Sequence, residues 1–289
     1  MTHRSPTSED SFDHLLDFAE DRDIGSREHQ EDFGQFELMD APATPCRDLV
    51  YALADGMGGL AGGEIASRVA VRVFLRSLRE APKELPVPEA MLYAMQQADQ
   101  ALGRRKQCEP PELASMGCTL SCVRVQGKKL YFLSVGDSRI YLIRDNRLYQ
   151  LNTIHNHRED MRRKAEEEGL NWEELSRSPQ IISQGSRITS YICGAGVNQV
   201  DCPSQPIELQ IGDTILVSSD GLLSLPLKEV VQTLRTDSIA DKTAARDVSR
   251  LLDRVIDRKA RHQDNVSVGL IRLISPSNLL TTSTSTYSS

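Results

Sequence analysis

Three apolar runs in this chain each end on an aspartate set beside glycine. Leu49-Val50-Tyr51-Ala52-Leu53-Ala54 delivers Asp55 and then Gly56-Met57-Gly58-Gly59, the run Thr214 to Ser219 delivers Asp220-Gly221, and Leu130 to Gly136 delivers Asp137. A fourth acid, Asp264, stands with Asn265 at the start of a strand-like run from Val266 to Ile274. A carboxylate at a strand end beside glycine is held on stiff backbone with little bulk around it, so several such ends can converge on one small object. Two carboxylates about 4 Å apart repel by roughly 4 kcal/mol at an effective dielectric of about 20. Gathered acids would therefore take up protons or push the strands apart unless a cation offset them. Oxygen ligands alone suit a hard divalent ion, Mg²⁺ or Mn²⁺, whereas zinc would recruit His or Cys. Among those residue types only His262, two places before Asp264, adjoins any of these acids. Each motif alone reads equally as a solvated Asp-Gly turn; the repetition of the design argues for a site.

The 289 residues suffice for one large domain or two small ones, and 39% hydrophobic content supports a sizeable core. A net charge of −7 argues against nucleic acid as the main partner, since phosphate backbones reward clustered Lys and Arg. No apolar run approaches a membrane span, and Met1 to Asp23 is acidic and lacks a signal-peptide core, so a cytoplasmic location is expected. The six cysteines, at 46, 108, 118, 122, 193 and 202, form no C-x-x-C pair and no zinc spacing. Cys118 and Cys122, four apart in an expected strand, share a face and read as reduced core thiols.

No segment rich in Pro, Gly and Ser divides the chain, so one domain is expected over 21–274. Residues 1–20 and the Ser/Thr-rich 275–289 are expected to be disordered for want of apolar surface. Strand-like stretches fall near 33–39, 48–54, 118–125, 129–135, 139–143, 147–151, 207–211, 214–219 and 266–274. Short polar links such as Gln126-Gly127-Lys128 and Asp145-Asn146 join successive strands as in antiparallel hairpins. Helical patterns run from about Glu64 to Leu78, Glu89 to Lys106, Lys228 to Leu234 and Ala240 to Lys259. Helices and strands do not alternate regularly, which predicts an α+β arrangement of antiparallel sheets with helices packed outside. Residues 152–196 interrupt the meander with a charged helix, Arg158 to Glu168, and a polar loop; an excursion beside a site commonly serves as a flap that meets substrate.

Near the N-terminus, Arg27-Glu28-His29-Gln30-Glu31-Asp32 sets an arginine four residues before a pair of acids. One acid of the pair can meet a metal and the other support it, while a guanidinium grips phosphate with two prongs. Arg27 with Glu31-Asp32, Asp55-Gly56-Met57-Gly58-Gly59, Gly136-Asp137-Ser138-Arg139, Ser219-Asp220-Gly221 and Asp264-Asn265 together resemble the ordered signature of the metal-dependent protein phosphatase 2C family in its bacterial form. The resemblance runs from about Ile24 to Leu273, nearly the whole chain.

That resemblance implies a four-layer α-β-β-α sandwich, two antiparallel sheets flanked by helices, with a two-metal centre at one edge. It implies that Asp55 bridges two Mn²⁺ or Mg²⁺ ions, that Glu31 and the Gly56 carbonyl bind one, and that Asp220 and Asp264 bind the other. Asp32 would act from behind these ligands, Asp137 with Asp220 would hold a third, weaker metal, and Arg27 would anchor the substrate phosphate. The implied activity is hydrolysis of phosphoserine and phosphothreonine in proteins by a water bridging the metals. The implied partners are phosphorylated proteins, including a bacterial Ser/Thr kinase and its targets; a monomer is expected. The chemistry agrees: phosphate monoesters hydrolyse very slowly unaided, and paired metals supply a strong nucleophile and positive charge without a covalent phosphoenzyme. None of the six cysteines follows a histidine, so the H-C-x₅-R signature of cysteine phosphatases is missing.

Three departures stand out. Met57 occupies a position that is histidine in many eukaryotic relatives, where it is proposed to protonate the leaving group, which methionine cannot do. Gln30 replaces a frequent asparagine. Asn152-Thr153-Ile154-His155-Asn156-His157 stands where relatives carry an Asp-His-Ser element, so the flap aligns only loosely, and His155 and His157 read as exposed loop histidines. Two rival readings fit parts of the sequence. Gly56-Met57-Gly58-Gly59-Leu60-Ala61 satisfies G-x-G-x-x-A after a strand, but Arg79 to Pro88 reads as a turn rather than a second parallel strand, and no G-K-[ST] is present. A non-catalytic phosphoprotein-binding scaffold on the same fold would be expected to have lost metal-site acids, and all of them are here.

Overall fold

Side chains of β3 (Asp48–Ala54) divide by parity: Leu49, Tyr51 and Leu53 enter one core, and Val50, Ala52 and Ala54 another. A strand apolar on both faces has to lie in a middle layer, and this one does. The computed structural model describes residues 14–39, 48–58, 62–235 and 243–275. Two five-stranded sheets pack face to face. In the first, β1 (Leu15–Asp23), β12 (Val266–Ile274), β11 (Thr214–Ser218), β8 (Arg139–Arg144) and β9 (Arg147–Gln150) lie side by side in that order. In the second the order is β10 (Ile207–Glu208), β7 (Lys129–Val135), β6 (Leu120–Gln126), β3 and β2 (Phe33–Leu38). Every pairing is antiparallel. A two-stranded ribbon, β4 (Gly56–Met57) with β5 (Gly117–Cys118), continues β3 beyond Asp55.

Three cores hold the layers. Leu49, Tyr51, Val123, Phe132, Ile140, Val217 and Ile271 fill the space between the sheets. Outside the second sheet lie α1 (Gly62–Glu80) and α2 (Val87–Gln107), which bury Phe74, Met91, Leu102 and their neighbours against it. Outside the first sheet, α6 (Leu227–Leu234) and α7 (Ala244–Asp257) cover Leu216, Val268 and Leu270. The order is thus α-β-β-α, as expected. Each fully buried large apolar side chain contributes about 1.5–3 kcal/mol relative to exposure. The sheets approach closely enough that Tyr51 presses on Gly269, where any side chain would collide with its ring.

The structure corrects the expectation for residues 1–20, since Leu15–Asp23 is an edge strand paired along its length with β12. The acids that disguise it are used. Asp17 accepts the Ala244 amide at 2.7 Å at the start of α7 and faces Arg272, while Leu16 packs into the inter-sheet core. Arg272 is 2% exposed and also pairs with the fully buried Asp247, which ties β1, β12 and α7 together. Residues 1–13 and 276–289 lie outside the described residues. The expected strand over 207–211 shrinks to Ile207–Glu208, and α7 begins at Ala244, with 236–242 outside the described residues. The excursion holds three helices, α3 (His157–Glu167), α4 (Trp172–Leu175) and α5 (Pro179–Gln184). Cys118 and Cys122 are buried in the core beneath α1 and α2, and burial pushes both thiols up. Among the described residues no helix is long and apolar enough to cross a membrane.

Candidate active site

The sheet registers bring the acids to one end of the sandwich. Ala54 at the end of β3 pairs with Phe33 at the start of β2, which puts Asp55 beside Glu31-Asp32. Ser218 at the end of β11 pairs with Arg139 at the start of β8 and with Val268 near the start of β12, so Asp220, Asp137 and Asp264 share that end. Arg27 lies in the loop from β1 to β2, with Nη2 2.5 Å from Asp264 Oδ2.

Electrostatics register the convergence. Burial, followed by Asp32, Asp220, Asp137 and Asp264, pushes the Asp55 carboxyl well above the usual carboxylate range. Asp32, 2% exposed, is raised to about 7 by burial first. Burial and then Asp220 raise Asp137 to about 6. Asp220 is raised by burial and Asp264, with Arg139 and Arg27 acting against the shift. Burial raises Glu31, which Arg27 opposes. Five acids drawn from separate parts of the chain thus resist ionisation together, the state a divalent cation would relieve.

The backbone around them is closely fitted. A Cβ on Gly56 would strike the Gly63 carbonyl and come within 2.7 Å of the Glu31 carbonyl, so only glycine allows β4 to pass between the Glu31 segment and the start of α1. The Gly63 amide in turn bonds the Glu31 carboxylate, where the positive end of α1 favours an anion. Asn265 holds the Arg27 loop: its Oδ1 accepts the Glu31 amide at 2.8 Å, and its Nδ2 donates to the Ile24 and His29 carbonyls at 2.8 and 3.0 Å. Ser219 donates to Asp32 Oδ2 at 2.7 Å and accepts the Ser267 amide at 3.0 Å. Asp32 Oδ1 is buried and makes no well-formed hydrogen bond among the described residues, with the Ser267 hydroxyl only a weaker neighbour of the carboxyl, which leaves an acceptor for a ligand or its water.

Asp55 also connects to the excursion. Its amide donates to Thr119 Oγ1 at 2.9 Å, its carbonyl accepts the Thr119 amide at 2.9 Å, and Thr119 Oγ1 is 2.9 Å from Ser138 Oγ. Asn152, 4% exposed, donates to the Ser138 carbonyl and Ser134 Oγ and accepts the Ile140 amide. His155 is a correction: it is 2% exposed, not on the surface, and its Nδ1 accepts the Gly136 amide at 3.1 Å. Burial lowers its pKa, which keeps the imidazole neutral and suited to that acceptor role. His157 is half-buried at the start of α3. Sequence reasoning missed Thr119, Asn152, Ser219 and Asn265 as supports, although Ser219 and Asn265 adjoin Asp220 and Asp264.

The donor set fits a hard cation, since it offers carboxylate and carbonyl oxygens and an unused buried acceptor. No three Asp, Glu, His or Cys side chains among the described residues close on a point as a finished cage. Arg27 is turned onto Asp264, so its guanidinium competes with any cation for that carboxylate.

Known proteins bear on this arrangement. A sequence profile described as Protein phosphatase 2C matches residues 38–263, a span that begins after Glu31 and ends just before Asp264. The serine/threonine phosphatase stp of Listeria welshimeri is 28% identical over 252 residues, covering 85% of this chain and 90% of that protein. The serine/threonine protein phosphatase PstP of Mycobacterium tuberculosis is 29% identical over 194 residues; the match covers 66% of this chain and 35% of PstP, about a third of that longer protein. A crystal structure of the catalytic domain of PstP in complex with two manganese ions superposes with a TM-score of 0.69 at 25% identity, covering 91% of this chain and all of that one.

Proposed function

Because the chain belongs to the protein phosphatase 2C family, we propose that it hydrolyses phosphoserine and phosphothreonine monoesters in proteins at this carboxylate cluster. The observation that carries the reading is the set of acids whose ionisation is jointly suppressed around Asp55, with Arg27 at their margin. Asp55, Glu31, the Gly56 carbonyl, Asp220 and Asp264 would together hold two divalent cations, with Asp55 shared between them. Asp137 with Asp220 would hold a third, weaker one. Two Mn²⁺ or Mg²⁺ ions, when bound, supply positive charge around the phosphoryl group and acidify a water for in-line attack on phosphorus.

The chain's own residues do the rest. Arg27 binds two phosphate oxygens and so fixes the ester in register with the cluster. Asp32, held by Ser219, would support a bound cation or its water through the carboxylate oxygen left without a close partner. Met57 cannot donate a proton and His155 Nδ1 is committed to the Gly136 amide, so water or another acid protonates the leaving oxygen. The physiological setting belongs to the same proposal: a cytoplasmic monomer opposing a bacterial Ser/Thr kinase on its target proteins.

The test is release of phosphate from p-nitrophenyl phosphate and from a phosphothreonine peptide, with Mn²⁺ and then with EDTA. Turnover that EDTA stops and Mn²⁺ restores is expected. Peptide binding without turnover under either condition would favour a phosphoprotein-binding scaffold instead.

A further inference from the structure

On the buried face of α2, among Met91, Ala94, Met95, Ala98 and Leu102, stands one carboxylate, Asp99, 6% exposed. A charge in that position needs partners, and it takes three from outside its helix. Oδ1 accepts the amides of Cys193 and Gly194 at 3.0 and 2.7 Å, and Oδ2 accepts the amide of Gly196 at 2.9 Å. Gly194 and Gly196, at φ +81° and +91°, let successive amides turn toward one anion. Lys106, further along α2, donates to the Cys193 carbonyl at 2.8 Å. Gly103 lies against Gly194 so closely that a Cβ on Gly103 would sit 2.9 Å from the Gly194 carbonyl. The grip is built for this loop.

The gripped loop is the outgoing limb of the excursion, and that limb reaches the carboxylate cluster. Ile192 exchanges both backbone hydrogen bonds with Cys118, at 3.0 and 2.8 Å, and Cys118 pairs with Gly56, next to Asp55. The half-buried Tyr191 lays its ring on Gly117, where a Cβ would be 2.9 Å from Cδ2, and Gly117 pairs with Met57. Asp99 therefore sets the position of a segment bridged to the ribbon that carries Gly56, with the Tyr191 ring on the glycine that pairs with Met57, two residues from Asp55.

We propose that Asp99 is a positioning residue for substrate recognition: by gripping residues 193–196 it holds Tyr191 where the peptide chain flanking a phosphorylated residue passes. The proposal rests on the phosphatase reading and adds to it a determinant outside the metal and phosphate contacts. A small ester such as p-nitrophenyl phosphate has no flanking chain and does not use Tyr191. A phosphopeptide does, so loosening the grip acts on the two substrates unequally.

The experiment compares the wild type, Asp99→Ala, Asp99→Asn and Tyr191→Ala in Mn²⁺, with a phosphothreonine peptide and with p-nitrophenyl phosphate. In Asp99→Ala the ratio of kcat/KM for peptide over small ester is expected to fall about tenfold, mainly through KM, and Tyr191→Ala should fall similarly. Asp99→Asn keeps an acceptor for two of the three amides, so it should restore part of the ratio and serves if the alanine variant fails to fold. Hydrogen exchange at the amides of 193, 194 and 196 should quicken in Asp99→Ala. An active wild type whose substrate ratio is unchanged in both Asp99 variants, or amides that stay protected, overturns the Asp99 proposal alone. A wild type inactive on both substrates overturns the phosphatase reading and this proposal with it.

Discussion

Arg27 Nη2 and Asp264 Oδ2 stand 2.5 Å apart across 237 positions of sequence, so the guanidinium proposed to anchor phosphate is paired with a carboxylate proposed to bind a cation. Both side chains are substantially exposed, at 57% and 40%, and such a pair adds little to stability. It exchanges partners at small cost. Arg27→Ala should therefore have two effects of opposite sense. KM for a phosphopeptide rises about tenfold, while Mn²⁺ binds somewhat more tightly because Asp264 has lost a competing cation. Titration calorimetry showing weaker Mn²⁺ binding would count against this arrangement.

Removing acids from the centre should separate function from stability. Asp220→Ala and Asp55→Asn are each expected to lower turnover on the order of 10³-fold or more. In EDTA, Asp55→Asn should melt no lower than the wild type, since a carboxylate crowded by Asp32, Asp220 and Asp137 is replaced by a neutral group. Near-normal rates in either variant, read from a malachite-green assay, would refute the assigned roles.

The raised carboxyls set a pH dependence. Asp32 at about 7 and Asp137 at about 6 bind protons in the folded chain at pH values where the unfolded chain has already released them. Their contribution to the stability of the cation-free protein is present at low pH and is lost as pH rises through 6 to 7. Cation binding needs the ionised forms and strengthens over the same window. Melting curves in EDTA should thus fall between about pH 5.5 and 7.5, and the rise on adding Mn²⁺ should be larger at the upper end. Equal Mn²⁺ shifts at both ends would contradict the proton balance.

A separate prediction concerns the fold. Arg272→Ala leaves Asp247 and Asp17 facing each other without their shared cation in a buried place. A loss of about 3–5 kcal/mol is expected. Differential scanning calorimetry of the EDTA-treated protein measures it, and an unchanged melting temperature would show that the two acids find other partners.

Much of the centre was legible because strand ends carry it. Asp55, Asp137 and Asp220 follow apolar runs long enough to read as strands, and the glycines beside them mark close backbone approach. The strand Leu15–Asp23 was not legible: Asp17, Glu20, Asp21 and Asp23 resemble a solvated tail, and it is β12, with Arg272, and the start of α7, more than two hundred residues away, that make a strand of it. Thr119, Asn152 and Ser219 escaped for the same reason, since a small polar residue becomes a support only through partners that the fold brings from elsewhere. His155 looked exposed because its neighbours are polar, whereas the Gly136 amide that buries it lies nineteen residues upstream. Asp99 carried a local signal, an acid inside an apolar helical stripe, which is a pattern worth reading as a demand for distant donors.

Both limbs of the excursion are fastened near one turn. The His155 amide donates to the Gly136 carbonyl, the His155 carbonyl accepts the Thr189 amide, and Asp201 exchanges both backbone hydrogen bonds with Ser134. The helices between these fastenings, from His157 to Gln184, start and finish at one neck, where the His157 amide meets the Arg187 carbonyl. A segment closed at its own base can be lengthened, shortened or exchanged for another with only a small change in closure entropy. Transplanting a foreign sequence between residues 158 and 186 should then give a chimera that still folds and still assembles the carboxylate nest, with new preferences among the proteins it meets.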